Sequence, residues 1–170
     1  GGTTSFSDMY YFCDDIIESV LDAGMKANVS RGLTCFGEFD KNTHQGYQEL
    51  KALQKHWQNY DNGRIIVEAS IHAEYTSPPA MWQTVAEFAH ENGMGIHIHL
   101  SETVAEHNAS IERWGETPTQ VLYRNGVFDG RVLAAHGVHL SPTDMDILHR
   151  CGATVAHNPV SNGKLGSGIC

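Results

Sequence analysis

The stretch Gly95-Ile96-His97-Ile98-His99-Leu100-Ser101-Glu102-Thr103 sets two imidazoles and a carboxylate close together. Neutral imidazole nitrogens bind transition metals, and a carboxyl group beside them can carry a proton, so these residue types suit metal-assisted proton transfer. His-x-His alone is a weak signal. Its setting adds to it: alternate residues of a strand share a face, so His97 and His99 point one way while Ile96, Ile98 and Leu100 point the other. Glu102 falls where the strand ends, within reach of whatever His99 holds.

The surrounding pattern supplies the elements that must position this group. Gly1 to Asp8 reads as a strand that begins abruptly, as though mid-fold. Phe12, Ile16, Val20 and Leu21 recur at helical spacing between Tyr10 and Met25, with Gly24 near the C-cap. Lys26 to Thr34 reads as a strand and Gln45 to Tyr60 as a helix closed by Asp61-Asn62-Gly63. The alternation continues with strand Arg64–His72, helix Pro79–Glu91, strand Gly95–Ser101 and helices Glu102–Trp114 and Thr117–Asn125. Strand Val132–His139 then leads to helix Pro142–Cys151, with Ser141 as N-cap and Asp144 at the capping-box position. Ala153–Asn158 is the last predicted strand, and the Gly/Ser/Asn-rich Pro159–Gly168 reads as a loop.

Six strands alternating with helices are the grammar of a parallel α/β sheet, either doubly wound or part of a (β/α)8 TIM barrel. Asp8, Arg31, His72, His99 with Glu102, His136 with His139, and His157 with Asn158 fall at or beyond six successive strand ends. A doubly wound sheet gathers its site at one switch point, whereas a barrel draws residues from many strand ends, so the barrel is favoured. No Gly-x-Gly-x-x-Gly follows the first strand, which weakens a dinucleotide fold.

Composition sets outer bounds. At 170 residues, 41% apolar and 18% charged, the chain suits one globular domain. Its net charge of −9 argues against nucleic acid or an anionic membrane as partner and leaves a small neutral or cationic ligand. Cys13, Cys35, Cys151 and Cys170 form no Cys-x-x-Cys, and they read as reduced thiols of a cytoplasmic protein. No stretch approaches the roughly 18 to 20 apolar residues of a membrane span.

Several runs together resemble one family. They are Thr3-Thr4-Ser5-Phe6-Ser7-Asp8-Met9-Tyr10, Arg31-Gly32, His72 with Tyr75-Thr76, His99-Leu100-Ser101-Glu102-Thr103, Ala135-His136-Gly137-Val138-His139-Leu140, and His157-Asn158-Pro159-Val160-Ser161-Asn162 with Lys164-Leu165. In this order they are similar to the amidohydrolase superfamily, and more narrowly to its 5′-methylthioadenosine/S-adenosylhomocysteine deaminase and chlorohydrolase-like branch. The resemblance implies one divalent metal, zinc or iron, at the mouth of the barrel. It makes His99 the metal ligand from the fifth barrel strand, Glu102 the carboxyl group that shuttles a proton to the purine, and His136 the residue that positions the attacking hydroxide. Arg31, His72 and Glu102 fall at substrate-binding positions.

By the same resemblance the six strands correspond to barrel strands 2 to 7. The His-x-His of strand 1 and the Asp of strand 8 have no counterpart, and His97-Ile98-His99 does not replace them. The expectation is that this chain alone neither holds zinc tightly nor deaminates, and that it self-associates as a homo-oligomer or belongs to a longer polypeptide. Triazine or other heterocycle hydrolysis by the same chemistry is an alternative, and a metal-free assembly module is another.

Plainer readings apply elsewhere. His97 is expected inside the barrel, hydrogen-bonded to Glu68 or Ser70. Asp8, His139 and His157 suit satisfied loop or mouth positions, and His90, His107 and His149 suit solvated helix faces. His72-Ala73-Glu74 mimics the His-x-Glu of cytidine deaminases, but the required Pro-Cys-x-x-Cys is missing. Lys164 lacks the glycine pattern of a phosphate loop.

Overall fold

The computed structural model describes residues 1–170. Its strands are β1 (Ser5–Tyr10), β2 (Lys26–Arg31), β3 (Ile65–Ile71), β4 (Ile96–Leu100), β5 (Val132–His136) and β6 (Thr154–Ala156). Its helices are α1 (Cys13–Asp22), α2 (Gln45–Trp57), the irregular turn α3 (Tyr60–Gly63), α4 (Pro79–Glu91), α5 (Val104–Trp114), α6 (Pro118–Arg124), α7 (Pro142–Cys151) and α8 (Pro159–Leu165). The strands pair in parallel in the order β1-β2-β3-β4-β5-β6. An order that never reverses has no switch point, so the sheet curls as part of a barrel.

Strand alternation divides the sheet into two faces. Ala27 and Val29, Ile65, Val67, Ala69 and Ile71, Ile96, Ile98 and Leu100, and Val132 and Ala134 are buried in one apolar cluster. Ile17 and Val20 of α1, Leu50 and Leu53 of α2, Met81, Trp82, Val85 and Ala89 of α4, and Val121 and Leu122 of α6 complete it. Removal of this surface from water is what drives the helices onto the sheet. The other face carries Asn28, Ser30, Glu68, Ser70, His97 and His99, which hydrogen-bond among themselves or to backbone.

Local chemistry explains the helix boundaries. Ser141 accepts from the Asp144 N–H while the Asp144 carboxylate accepts from the Ser141 N–H, which starts α7. Thr117 and Gln120 form the same reciprocal box on α6, with Pro118 in the first turn. The predicted loop Pro159–Gly168 is corrected to helix α8: Pro159 opens it, and Gly166 at φ +66° closes it. Only Asn162 of α8 is buried, so a tertiary contact, rather than composition, holds this turn helical.

Strand β5 stops at His136, three residues short of the sequence expectation, because His136 (φ +78°) and Gly137 (φ +57°) leave the extended region. Asp8 lies within β1 rather than at the mouth, in register with Val29. His90 and His149 are exposed as expected, whereas His107 is half-buried.

A methyl group at Gly137 would meet Val155 Cγ1 at 2.8 Å in a left-handed backbone conformation. Gly137→Ala is therefore expected to destabilise the protein by about 1–3 kcal/mol in urea denaturation, and an unchanged midpoint would contradict this placement of the β5 turn.

Candidate active site

The carbonyl of His72, just past β3, accepts two hydrogen bonds from His99. The His99 backbone N–H lies at 3.0 Å and its Nδ1 at 2.8 Å. A carbonyl oxygen can only accept, so the proton of His99 is on Nδ1 and the Nε2 lone pair is free. Burial, followed by the neighbouring His136, lowers the pKa of His99 and favours the neutral ring that can ligate a metal.

His72 is held similarly. Its Nδ1 lies 3.3 Å from Thr76 Oγ1, a hydroxyl that donates to Ala73 O and accepts from the Ala73 N–H. With the hydroxyl proton committed, His72 Nδ1 is the donor and its Nε2 is also bare. Burial, then His99, lowers its pKa. The His72 and His99 rings lie 5.0 Å apart, and the His99 and His136 rings 5.4 Å apart.

His136 reaches this group by a backbone reversal. Its register partner is Leu100, which faces the helices. The positive φ of His136, a conformation that costs a non-glycine residue on the order of 1–3 kcal/mol, turns its ring to the mouth instead. There Nδ1 is 2.8 Å from Asn162 Oδ1 and Nε2 is 3.6 Å from Glu102 Oε1.

Glu102 is fixed through its backbone. The buried Glu106 accepts the Ser101 N–H on one carboxylate oxygen and the Glu102 N–H on the other, each at 2.8 Å. Ser101 is left-handed at φ +48°, and its carbonyl accepts the N–H groups of Val138 and His139. The turns after β4 and β5 are thereby joined. Burial pushes the Glu106 carboxyl up to about 7, against three backbone hydrogen bonds that act to lower it.

The structure thus brings together His72, His99, Glu102 and His136. It does not bring Arg31 to them. Arg31 shares the face of Ala27 and Val29; its Nε pairs with Glu49 Oε2 at 2.5 Å, and its guanidinium lies 4.5 Å from the Tyr11 ring centre. His97 lies inside the sheet as expected, but its partner is corrected. Nδ1 sits 3.2 Å from Ser30 Oγ, whose own proton goes to Asp8 O. Glu68 instead takes the Asn28 amide and Ser70 the Arg31 carbonyl, because the curl of the sheet carries Ser30 of β2 towards β4. Burial, then His99, brings the His97 pKa down to about 4. His139 donates from Nε2 to Ser167 O at 2.7 Å, and His157 is exposed. Glu74 binds Arg113 and Trp114 at 2.6 Å each, so it is engaged away from His72 and a His-x-Glu zinc pair is absent.

Glu106 is not among the residues that the sequence singles out, and Asn162 enters there only as the last residue of the run His157–Asn162, with no role of its own. The Thr103-x-x-Glu106 spacing is a capping-box signature that could have marked the first, and Thr103 does cap α5 through the Glu106 N–H at 3.1 Å. For Asn162 the family-like run was visible, but no spacing within it pointed to a contact with His136.

Within this chain no three His, Cys, Asp or Glu side chains gather as a metal site. His99 nevertheless fits as a single ligand: neutral, with Nε2 bare and its ring oriented by a carbonyl.

A model of the Amidohydrolase family matches residues 1–170. A 5-methylthioadenosine/S-adenosylhomocysteine deaminase of Syntrophomonas wolfei is 41% identical over 169 residues, covering 99% of this chain and 38% of that protein. A 5′-deoxyadenosine deaminase of Methanosarcina acetivorans is 41% identical over 168 residues, covering 99% and 39%. Among solved structures, an adenosine deaminase from Xanthomonas campestris with bound zinc superposes with a TM-score of 0.88 at 29% identity, over 100% of this chain and 38% of that one. The chain therefore spans well under half the length of the relatives it matches.

Glu106 gives this site a pH signature. A folded-state pKa near 7, against 4.5 for the free side chain, means that the folded state holds an extra proton between those values. The contribution of Glu106 to stability is then fully present below pH 4.5 and is lost as pH rises through 7, by at most about 3 kcal/mol. Denaturation of wild type and Glu106→Gln in parallel should show wild type losing ground to the variant across that window. A stability difference that stays flat or grows with pH would refute the assignment.

Proposed function

Since the chain belongs to the amidohydrolase family, we propose that the protein carrying it removes the amino group of an adenine nucleoside or its 5′-thioether by metal-assisted hydrolysis. The observation that carries this reading is the clustering of the His72, His99 and His136 rings, the first two with bare Nε2 atoms and the third facing the Glu102 carboxylate. The two relatives at 41% identity, both named as deaminases of adenosine derivatives, support the substrate class.

The reaction replaces an exocyclic C–NH2 bond by C=O, consuming water and releasing ammonia. A divalent metal, zinc by analogy with the zinc-containing neighbour, would supply the Lewis acidity that makes water nucleophilic near neutral pH. His99 would be one of its ligands, and the others would come from outside these 170 residues. Glu102, its backbone held in place by Glu106, takes one proton from the attacking water and passes it to the ring nitrogen. It then takes the second from the hydroxyl formed on the ring carbon and passes it to the amine, so that C=O forms as the C–N bond breaks and ammonia leaves. His136, 3.6 Å from that carboxylate, orients the water, and His72 offers Nε2 to a hydroxyl or ring N–H of the substrate. Arg31 acts from behind the site, holding the Gly32 carbonyl and Glu49 rather than the nucleoside.

No helix is long and apolar enough to cross a membrane. The cytoplasmic setting and self-association belong to the proposal. The four free cysteines support the first. An open apolar groove of about 490 Å³ between β1 and α1, lined by Phe6, Tyr10, Phe12, Ile16 and Met25, supports an association surface.

The test is ammonia release by the full-length, zinc-loaded protein on methylthioadenosine, S-adenosylhomocysteine, 5′-deoxyadenosine, adenosine, guanine and a chlorotriazine. Turnover is expected on the adenine nucleosides, and Glu102→Gln should lower kcat by about 10²–10⁴-fold with the metal retained. Activity confined to the triazine, or none on any adenine nucleoside, would overturn the reading.

A further inference from the structure

The run Asn158-Pro159-Val160-Ser161-Asn162 has no part in the chemistry just described, yet its last residue touches the site. We propose that Asn162 is a positioning residue that fixes the tautomer of His136. Asn162 is 1% exposed and is the one buried residue of α8, whose apolar residues Val160 and Leu165 are 84% and 62% exposed. Apolar packing therefore does not seat this helix. A polar contact does, with Asn162 Oδ1 at 2.8 Å from His136 Nδ1.

An amide oxygen carries no proton, so this contact places the imidazole proton on Nδ1 and leaves Nε2 as the atom that faces Glu102. The Asn162 backbone is held on both sides: its N–H donates to Asn158 O and its carbonyl accepts from the Ser167 N–H, both at 2.9 Å. Pro159 starts the turn that makes the first bond possible, and Gly166 in the left-handed region ends it before the second. The helix is a bracket for one side chain. His136 requires such a bracket because its positive φ takes it off the regular strand path, and only side-chain contacts define where its ring points. The same logic fixes His99 through a carbonyl and His72 through a hydroxyl, so Asn162 completes a set of three rings that present Nε2 to the mouth.

The consequence for turnover rests on the deaminase reading; the tautomer does not. The experiment uses the full-length protein labelled with 15N-histidine, with His136→Gln identifying the His136 signals. Imidazole 15N shifts and steady-state kinetics are recorded for wild type, Asn162→Asp and Asn162→Leu. Wild type and Asn162→Asp should both show His136 protonated at Nδ1. Asn162→Leu should lose that preference, and its kcat should fall by about 10- to 100-fold while KM changes little and Asn162→Asp recovers most of the rate. A wild-type His136 bearing its proton on Nε2 alone overturns the proposal, as does an unchanged tautomer in Asn162→Leu. If the Leu variant fails to fold, the wild-type and Asp spectra still decide. A protein with the stated tautomer but no deaminase activity would remove the functional reading and leave the role of Asn162 standing, whereas an active protein with the opposite tautomer would do the reverse.

Discussion

The His72 carbonyl oxygen receives both the backbone N–H and the ring Nδ1–H of His99, and the rest of the site is arranged around that double contact. The first bond continues the ladder between β3 and β4 beyond the last regular pair, so it sets the register of the strand ends. The second sets the ring. Because one acceptor does both, the direction of the His99 Nε2 lone pair is tied to the sheet itself rather than to a loop. His72 in turn is fixed by Thr76 in the short turn that Glu74 anchors to the end of α5 through Arg113 and Trp114. The site therefore inherits the rigidity of a core that buries Ile71, Ile98 and Leu100 completely.

Two strained residues complete the arrangement. Ser101 and His136, both non-glycine at positive φ, bring Glu102 and the His136 ring to the mouth from strands whose regular alternation would send them elsewhere. Such conformations persist only where the surroundings over-determine them. Glu106 does so for the first turn, with two backbone N–H groups on one buried carboxylate, and Asn162 does so for the second. Burial raises the pKa of Glu106, which is the cost of placing a carboxyl group there.

Much of this was legible in the sequence because it follows from periodicity. The six strands, the helices of the amphipathic segments, the capping box at Ser141 and Asp144, and the inward placing of His97 and His99 all come from spacing alone. Arg31 came to the substrate-binding group through the resemblance, whereas counting from Ala27 and Val29 puts it on the face that meets the helices, where it pairs with Glu49. What spacing does not carry is any contact made across the curl of the sheet, such as Ser30 with His97, or any backbone reversal at a residue other than glycine. The role of Asn162 was hidden for a related reason. A run rich in Gly, Ser and Asn has weak helix propensity, and the hydrogen bond that decides its conformation is made to a residue on another element.

The proposed chemistry requires that His99 give its Nε2 to a metal while Glu102 and His136 stay off it, the remaining ligands coming from other residues of the full-length protein. Anomalous diffraction at the zinc edge from crystals of the full-length protein tests it directly. One anomalous peak is expected at zinc-bonding distance from His99 Nε2, with Glu102 and His136 beside it and not bonded to it. A peak liganded by other residues while His99 Nε2 bonds only to protein, or no peak in an active, zinc-replete protein, would contradict it.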